Sequence, residues 1–468
     1  MKCIVWFRKD LRLTDNPALL EAIRLKADII PLFILENHNR WQPGGASRWW
    51  LHHSLADLNS KLEGKMVFRQ GKAASILKEL IVESGATAVF WNRRYGPEDI
   101  AIDTALKSEL QDKGILVKTF NSHLLFEPWE ITNNQGKFFQ VFTPYWKKCI
   151  AQANISKPIP PPPEIQLLDY TKNSLTSLNL LPTQPDWATG LRQTWTPGEA
   201  GAQERFDHFL GDLKGYKGNR NRLDREATSH LSPHLAWGEI SVRQIWHGIY
   251  AHIASNLAIE TDALTFLSEI GWREFSYHLL YHVPTLPQQP LKPQFANFPW
   301  QENPSAFKKW AQGLTGYPIV DAGMRELWHT GYMHNRVRMI VASFLIKDLL
   351  LPWQDGEAWF WDTLVDADLA NNSANWQWVA GCGADAAPYF RIFNPVLQGE
   401  KFDPEGNYVR RWVPELRLLS NDFIHKPWQT SSIKLKEAGI KLGSTYPEPI
   451  INHDKARLRA LEIYKSLP

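Results

Sequence analysis

Residues 3–35, CIVWFRKDLRLTDNPALLEAIRLKADIIPLFIL, place two apolar runs on either side of an amphipathic segment. Short runs of branched and aromatic residues read as buried strands. PALLEAIRL between them reads as a helix, with Asn16 as its N-cap and Pro17 at its first position. Working outward, the pattern continues with a helix from about Ser47 to Leu62, then MVFRQ, AASILKELIVES, TAVFW, IDTALKSEL and ILVKTF. Strand and helix in alternation predict a parallel sheet covered by helices, an α/β Rossmann-like domain over residues 1–130. The first strand is followed by FRKDLRLTDNP instead of a glycine fingerprint, so ordinary dinucleotide binding is not expected at that turn.

Residues 131–201 read as an inter-domain connector. IPPPPE and the repeated Pro, Thr and Ser between about Ser156 and Gly201 exclude long helices and central strands. From Ala202 the periodicity is helical almost throughout, as in ERFDHFLGDL, TDALTFLSEIGWREFSYHLLYH, DAGMRELWHTG, NRVRMIVASFLIKDLLL and KARLRALEIYKSL. This predicts an all-α domain over residues 202–468, and 468 residues are too many for one ordinary core.

With 52 basic and 49 acidic residues the net charge is +3, so any phosphate-binding surface must be a local patch. Cys3, Cys149 and Cys382 are odd in number and far apart, offering neither a disulfide framework nor a metal-ligand pattern. No signal-peptide run opens the chain and no apolar stretch is long enough to span a bilayer, so a soluble, cytoplasmic protein is expected. The 22 tryptophans are a heavy use of large flat rings that suit stacking on cofactors or bases, and electron transfer.

Candidate chemistry concentrates in the helical half. Residues 366–395, DADLANNSANWQWVAGCGADAAPYFRIFNP, hold Asp366 and Asp368 about Ala367, then Asn371, Asn372, Trp376 and Trp378, with few aliphatic residues. So many amide, carboxylate and indole groups need partners that a packed core does not supply. Phe266, Glu269 and Arg273 share one face of a predicted helix, with Trp272 beside them. Tyr332, Asn335, Arg338 and Met339 recur at spacings of three and four, a stripe of mixed polarity on a second helix. Tyr216, Arg220 and the run Thr228, Ser229, His230, Leu231, Ser232 offer hydroxyls at a helix start, an arrangement suited to phosphate. The two aspartates could also be read as a divalent-metal pair, but hard cations want more oxygen ligands than this stretch supplies, and no metal is expected.

Taken together, FRKDLRLTDNPAL, WREF, TGYP, MHNRVRM, DADLANN, WQWVAG and APYFRIFNP resemble the signatures of the photolyase and cryptochrome flavoproteins over essentially the whole chain. The details are most similar to the bacterial cyclobutane pyrimidine dimer photolyases, of the class III group allied to plant cryptochromes. The resemblance implies the photolyase fold, with a U-shaped FAD in the helical domain. Tyr216 and residues Thr228 to Ser232 would hold its phosphate and ribitol parts, with Phe266, Glu269, Arg273 and Ala367 also at the cofactor. His230 stands where relatives often carry Arg or Lys, and Phe266 where some carry Trp. Arg338 and Asp366 would form an ion pair beside the isoalloxazine, Asp368 would bond near the ribityl and adenine region, and Asn372 would face flavin N5. A neutral amide there favours reduced flavin and argues for repair over signalling, since plant cryptochromes have Asp at that position.

The resemblance further implies an electron chain through Trp376, Trp353 and Trp300, and a lesion site in which Trp272 and Trp378 wall a flipped-out dimer. Glu269 would bond a thymine, Asn335 and Met339 would form the floor, and Arg220, Arg273, Gln398, Lys401, Arg410 and Arg411 would contact the DNA backbone. His334 reads as structural. The expected activity is light-driven repair of cyclobutane pyrimidine dimers in UV-damaged DNA by a monomer. A cryptochrome-type blue-light receptor and a (6-4) photolyase are the alternatives, the latter disfavoured because its histidines are replaced by Asn335 and Met339. The N-terminal domain of this family houses an antenna, methenyltetrahydrofolate by preference or a deazaflavin, for which Glu36 and Glu98 are candidate ligands.

Overall fold

A computed structural model of the protein describes residues 1–37, 40–386 and 390–467. Five parallel strands, β1 (Lys2–Phe7), β2 (Asp28–Leu35), β3 (Val67–Gln70), β4 (Ala88–Asn92) and β5 (Leu116–Phe120), form one sheet in the order β3-β2-β1-β4-β5. Helices α1 (Pro17–Arg24), α2 (Gly45–Lys61), α3 (Ala73–Ser84) and α4 (Pro97–Asp112) connect them. Asn16 caps α1 by accepting from Leu19 N at 3.2 Å, with Pro17 at the first helical position, as the sequence predicts.

Alternation along the central strand explains its unbroken hydrophobicity. Ile4 and Trp6 pack into the core formed with α3 and α4, while Cys3, Val5 and Phe7 pack into a second core on the opposite face. That second core includes Trp49, Trp50 and Leu55 of α2 together with Trp195, Trp237, Tyr332 and Val365 from the helical part of the chain. The sheet and the helices are therefore cemented by shared apolar surface.

The turn after β1 takes part in the same junction. Arg12 is 1% exposed and donates to the carbonyls of Thr14, Asp15, Ser122 and Gly238, while Leu11 N donates to Trp237 O at 3.1 Å. Gly238, at φ +68°, lies so close that a Cβ there would stand 2.1 Å from Lys9 O. A polar turn occupies the place of a glycine fingerprint because it grips the helical part.

The proline-rich connector is likewise part of the architecture. β3 pairs only with Leu32–Leu35 of β2. Residues 166–168 take up the ladder it leaves: Ile29 N donates to Gln166 O and Leu168 N to Ile29 O. Beyond residue 120 every regular element among the described residues is helical. The long helix Glu260–His282 packs against the helix Leu369–Ala380 and against α5 (Phe142–Ala151).

Candidate functional site

A cavity of about 710 Å³ opens in the helical part of the chain. Its size is that of a site for a large organic ligand. Around it the fold gathers nearly every residue singled out from sequence: Tyr216, Arg220, the segment 228–232, Phe266, Glu269, Trp272, Arg273, Asn335, Arg338, Met339, Asp366, Ala367, Asp368, Asn372, Trp376 and Trp378. They come from five separate segments, so only tertiary packing makes them one site.

The polar wall is built around Asp366. Its side chain is 3% exposed, and Oδ2 accepts from Arg338 Nη2 at 2.8 Å and from Ser232 Oγ at 2.6 Å, while Oδ1 is buried without a partner. Arg338 also donates from Nε to Met333 O and lies over the Tyr332 ring. A buried, unsatisfied carboxylate oxygen on a cavity wall calls for an N–H or O–H donor from a ligand. Asp368 caps the helix Leu369–Ala380, accepting from Asn371 N and Nδ2 on Oδ1 and from the Tyr277 hydroxyl on Oδ2. Asn372 donates from Nδ2 to Glu357 O at 3.0 Å, which leaves its carbonyl Oδ1 as the acceptor the amide can offer to a ligand.

Several placements differ from the linear reading. Tyr332 precedes the helix Asn335–Ser343 instead of lying on it, reaching the cavity from the turn closed by Gly331. His334 caps that helix, accepting from Arg336 N, and it also lines the cavity. Burial and His230 push its imidazole down to about 3, so it is neutral and has no acid proton to give near neutrality. His230 adopts φ +51° and is pushed down to about 4 by burial and by Arg205, so it brings no positive charge to a phosphate.

Glu269 and Arg273, four apart on one helix face, do not pair with each other. Glu269 Oε1 accepts from Arg220 Nη1 at 2.5 Å, whereas Arg273 turns inward to His123, donating to its carbonyl at 2.9 Å. At 9% exposure Arg273 is not a surface cation, and a direct contact from it to DNA phosphate is set aside. Arg410 is likewise spent internally, donating to the carbonyls of Arg417 and Leu419. Lys401 and Arg411 remain exposed, and half-buried Gln398 lies outside the cavity lining on the helix Pro395–Phe402.

The aromatic residues fall into two groups. Trp272 stacks face to face on Phe142 at 3.9 Å, and Trp378 donates to Asp385 O at 3.0 Å, so both rings are fixed where they line the cavity. Trp353 and Trp376 belong to one hydrophobic cluster with Trp300 packed against it, and Trp376 also meets Trp310 at 6.4 Å. Phe142, Arg336, Arg391 and Trp310 escaped the sequence reading. MHNRVRM carries Arg336 beside Asn335, but a lone arginine on a helix gives no sign of which way it faces. Residues 387–389 of the APYFRIFNP motif lie outside the described residues.

A smaller cavity of about 170 Å³ lies at the carboxyl ends of β1, β2 and β4, where the strand order reverses and α/β sheets accept ligands. Glu36 and Glu98 line it with Trp41, Tyr95 and Trp361. Glu36 is paired with Arg94, and Glu98 accepts from Arg40 N at 3.0 Å.

Residues 3–164 match the DNA photolyase family profile, and residues 266–466 match that of the FAD binding domain of DNA photolyase. The chain is 52% identical to the deoxyribodipyrimidine photo-lyase of Agrobacterium fabrum, covering 99% of this chain and 98% of that protein. It is 40% identical to cryptochrome-1 of Arabidopsis thaliana over 98% of this chain and 69% of that one. The crystal structure of a bacterial class III photolyase from Agrobacterium tumefaciens superposes with a TM-score of 0.96 at 51% identity, covering 100% of this chain and 97% of that one. The chain belongs to the photolyase and cryptochrome family. Its helical half is of the FAD-binding type, and the residues around the large cavity fit that group: a buried acceptor at Asp366, a guanidinium, hydroxyls and a neutral amide. Among the described residues no helix is long and apolar enough to cross a membrane, and no cluster of side chains is arranged to hold a metal.

Proposed function

We propose that the protein repairs cyclobutane pyrimidine dimers in DNA under light, using FAD held in the large cavity. The observation that carries this reading is that one cavity is lined both by a cofactor wall, Ser232, Arg338, Asp366 and Asn372, and by a lesion wall, Glu269, Trp272, Met339 and Trp378. The chemistry FAD supplies when bound is photoinduced donation of an electron to the dimer and recovery of that electron after ring opening, with no net redox change.

The side chains do the rest by position. Asp366 Oδ1 accepts from the cofactor and Arg338 balances its charge. Asn372 presents a carbonyl oxygen and no charge, which suits reduced flavin. Trp272 and Trp378 offer flat apolar surfaces to an extruded dimer, which stacks poorly in the duplex and costs little to flip. Glu269 exchanges its bond to Arg220 for the N–H of a dimer base, and the released guanidinium is free for the adjacent phosphate. The tryptophans 376, 353 and 300 would form the relay that carries an electron from an external donor toward the cofactor.

In the small cavity, Glu36, Glu98 and the aromatic rings suit the hydrogen-bonding ring of a folate antenna, methenyltetrahydrofolate in preference to a deazaflavin. The test is loss of dimers from an oligonucleotide under blue light against a dark control. Binding should also weaken steeply with salt, since Arg220, Arg336, Arg391, Lys401 and Arg411 would replace counterions. A protein that photoreduces its flavin and leaves dimers intact would shift the reading to a light receptor, which the 40% identity to a cryptochrome supports as the second candidate.

A further inference from the structure

The large and small cavities share a wall. Asp368 lines both, Tyr277 lines the small one and Arg273 the large one. Tyr277 and Arg273 meet at His123, from the segment that leaves β5, and Asp368 joins them through Tyr277. Tyr277 Oη bonds Asp368 Oδ2 and also stands 2.7 Å from His123 Nε2, the same nitrogen that Arg273 Nη2 reaches at 2.7 Å.

The hydrogen bonds at this wall compete. Burial, and then Arg273, hold the His123 imidazole well below its ordinary value, so the ring is neutral. Burial and Asp368 hold the Tyr277 phenol well above its own, so it keeps its proton. A neutral Nε2 offers one lone pair to two donors, Arg273 Nη2 and Tyr277 Oη, and the phenol has one proton for two acceptors, Nε2 and Asp368 Oδ2. The wall therefore has two settings, one with Asp368 held by Tyr277 and Nε2 by Arg273, and one with the phenol turned to Nε2 and Arg273 kept by the His123 carbonyl alone. A ligand on either side that fixes Asp368 or packs against the phenol removes that freedom for both sides.

We infer that Tyr277 is a positioning residue that couples the two cavities, so that a ring bound in the small cavity tightens FAD binding in the large one by holding Asp368 still. The inference rests on the proposed antenna reading of the small cavity. The ligand that binds first orders the wall, and the second binds to a wall already ordered. Because coupling is reciprocal, FAD must tighten the small-cavity ligand by the same factor.

The experiment uses the FAD-loaded protein with methenyltetrahydrofolate as probe, bound folate being followed by its near-UV absorbance and FAD release by its fluorescence. In the wild type, saturating folate should lower the FAD dissociation constant about fivefold or more, the low end of intersite couplings, with an equal effect of FAD on folate affinity. Tyr277→Phe should bind both ligands and lose the coupling. His123→Leu, which removes the competing acceptor and leaves Tyr277 donating to Asp368 alone, should lose it too and serves if the first variant does not fold. A wild type that binds folate with FAD affinity unchanged overturns the coupling alone. Coupling that persists in either variant overturns the role of Tyr277. A protein that binds no folate overturns the antenna reading and the inference with it.

Discussion

Replacing Arg338 by Met keeps most of the stem volume and removes the charge opposite Asp366. The carboxylate is then 3% exposed with only the Ser232 hydroxyl on Oδ2 and nothing on Oδ1. Breaking one side of a buried ion pair costs about 3–5 kcal/mol, because the remaining charge stays out of water uncompensated. The lost bond from Nε to Met333 O adds about 1 kcal/mol. At about 2–4 °C per kcal/mol for a unit of this size, the melting temperature should fall by roughly 6–20 °C for the ion pair alone. Arg338→Met with Asp366→Asn removes the stranded charge and should recover most of that loss, leaving a deficit of about 1 kcal/mol from Met333. Urea denaturation followed by circular dichroism, at one fixed excess of FAD for all variants, gives the cycle. If the double variant were no more stable than Arg338→Met, the cost would not come from the buried charge and the account of this wall would be wrong.

Two further outcomes follow from the same interior. Burial pushes the Glu357 carboxyl up to about 8 against an ordinary 4.5. Between those values the folded state holds a proton that the unfolded state lacks, so stability falls as pH rises, by up to about 1.4 kcal/mol per pH unit. Glu357→Gln should flatten that part of the profile when urea midpoints at pH 5.5 and 7.5 are compared, and an unchanged slope would refute it. Trp376→Phe should abolish most light-driven reduction of FAD by an external donor, while protein reduced chemically beforehand repairs dimers at close to the wild-type rate; absorbance at the flavin bands and dimer loss read the two arms.

The sheet was legible because its cause is local. CIVWF and IIPLFIL are unbroken apolar runs since each strand is buried on both faces, and AASILKELIVES marks the helix Ala73–Ser84 residue for residue. Asn16 and Pro17 fix where α1 begins by backbone geometry alone. The helical half was equally plain from its period, and its motifs pointed to the stretch around Asp366. What sequence could not give was the partner of each charge. Glu269 and Arg273, four apart on one helix, look like a pair, yet each is taken by a residue more than forty positions away, Arg220 and His123. Helical spacing places both side chains on one face without deciding which of them turns inward.

The same limit applies to His334, read from sequence as structural, and to Tyr332, assigned to a helix it only precedes. Both reach the cavity through the turn before Asn335, because the chain reverses at Gly331 and a helix cap has a direction of its own. The connector read as a tether because prolines cannot lie in central strands, but residues 166–168 complete the ladder of β2 where β3 is too short to reach. Local propensity and periodicity thus determined which elements form and roughly where they end. Which polar groups face one another, and that two cavities share the wall at Asp368, was decided only by packing, since those contacts join segments that no repeat or spacing relates.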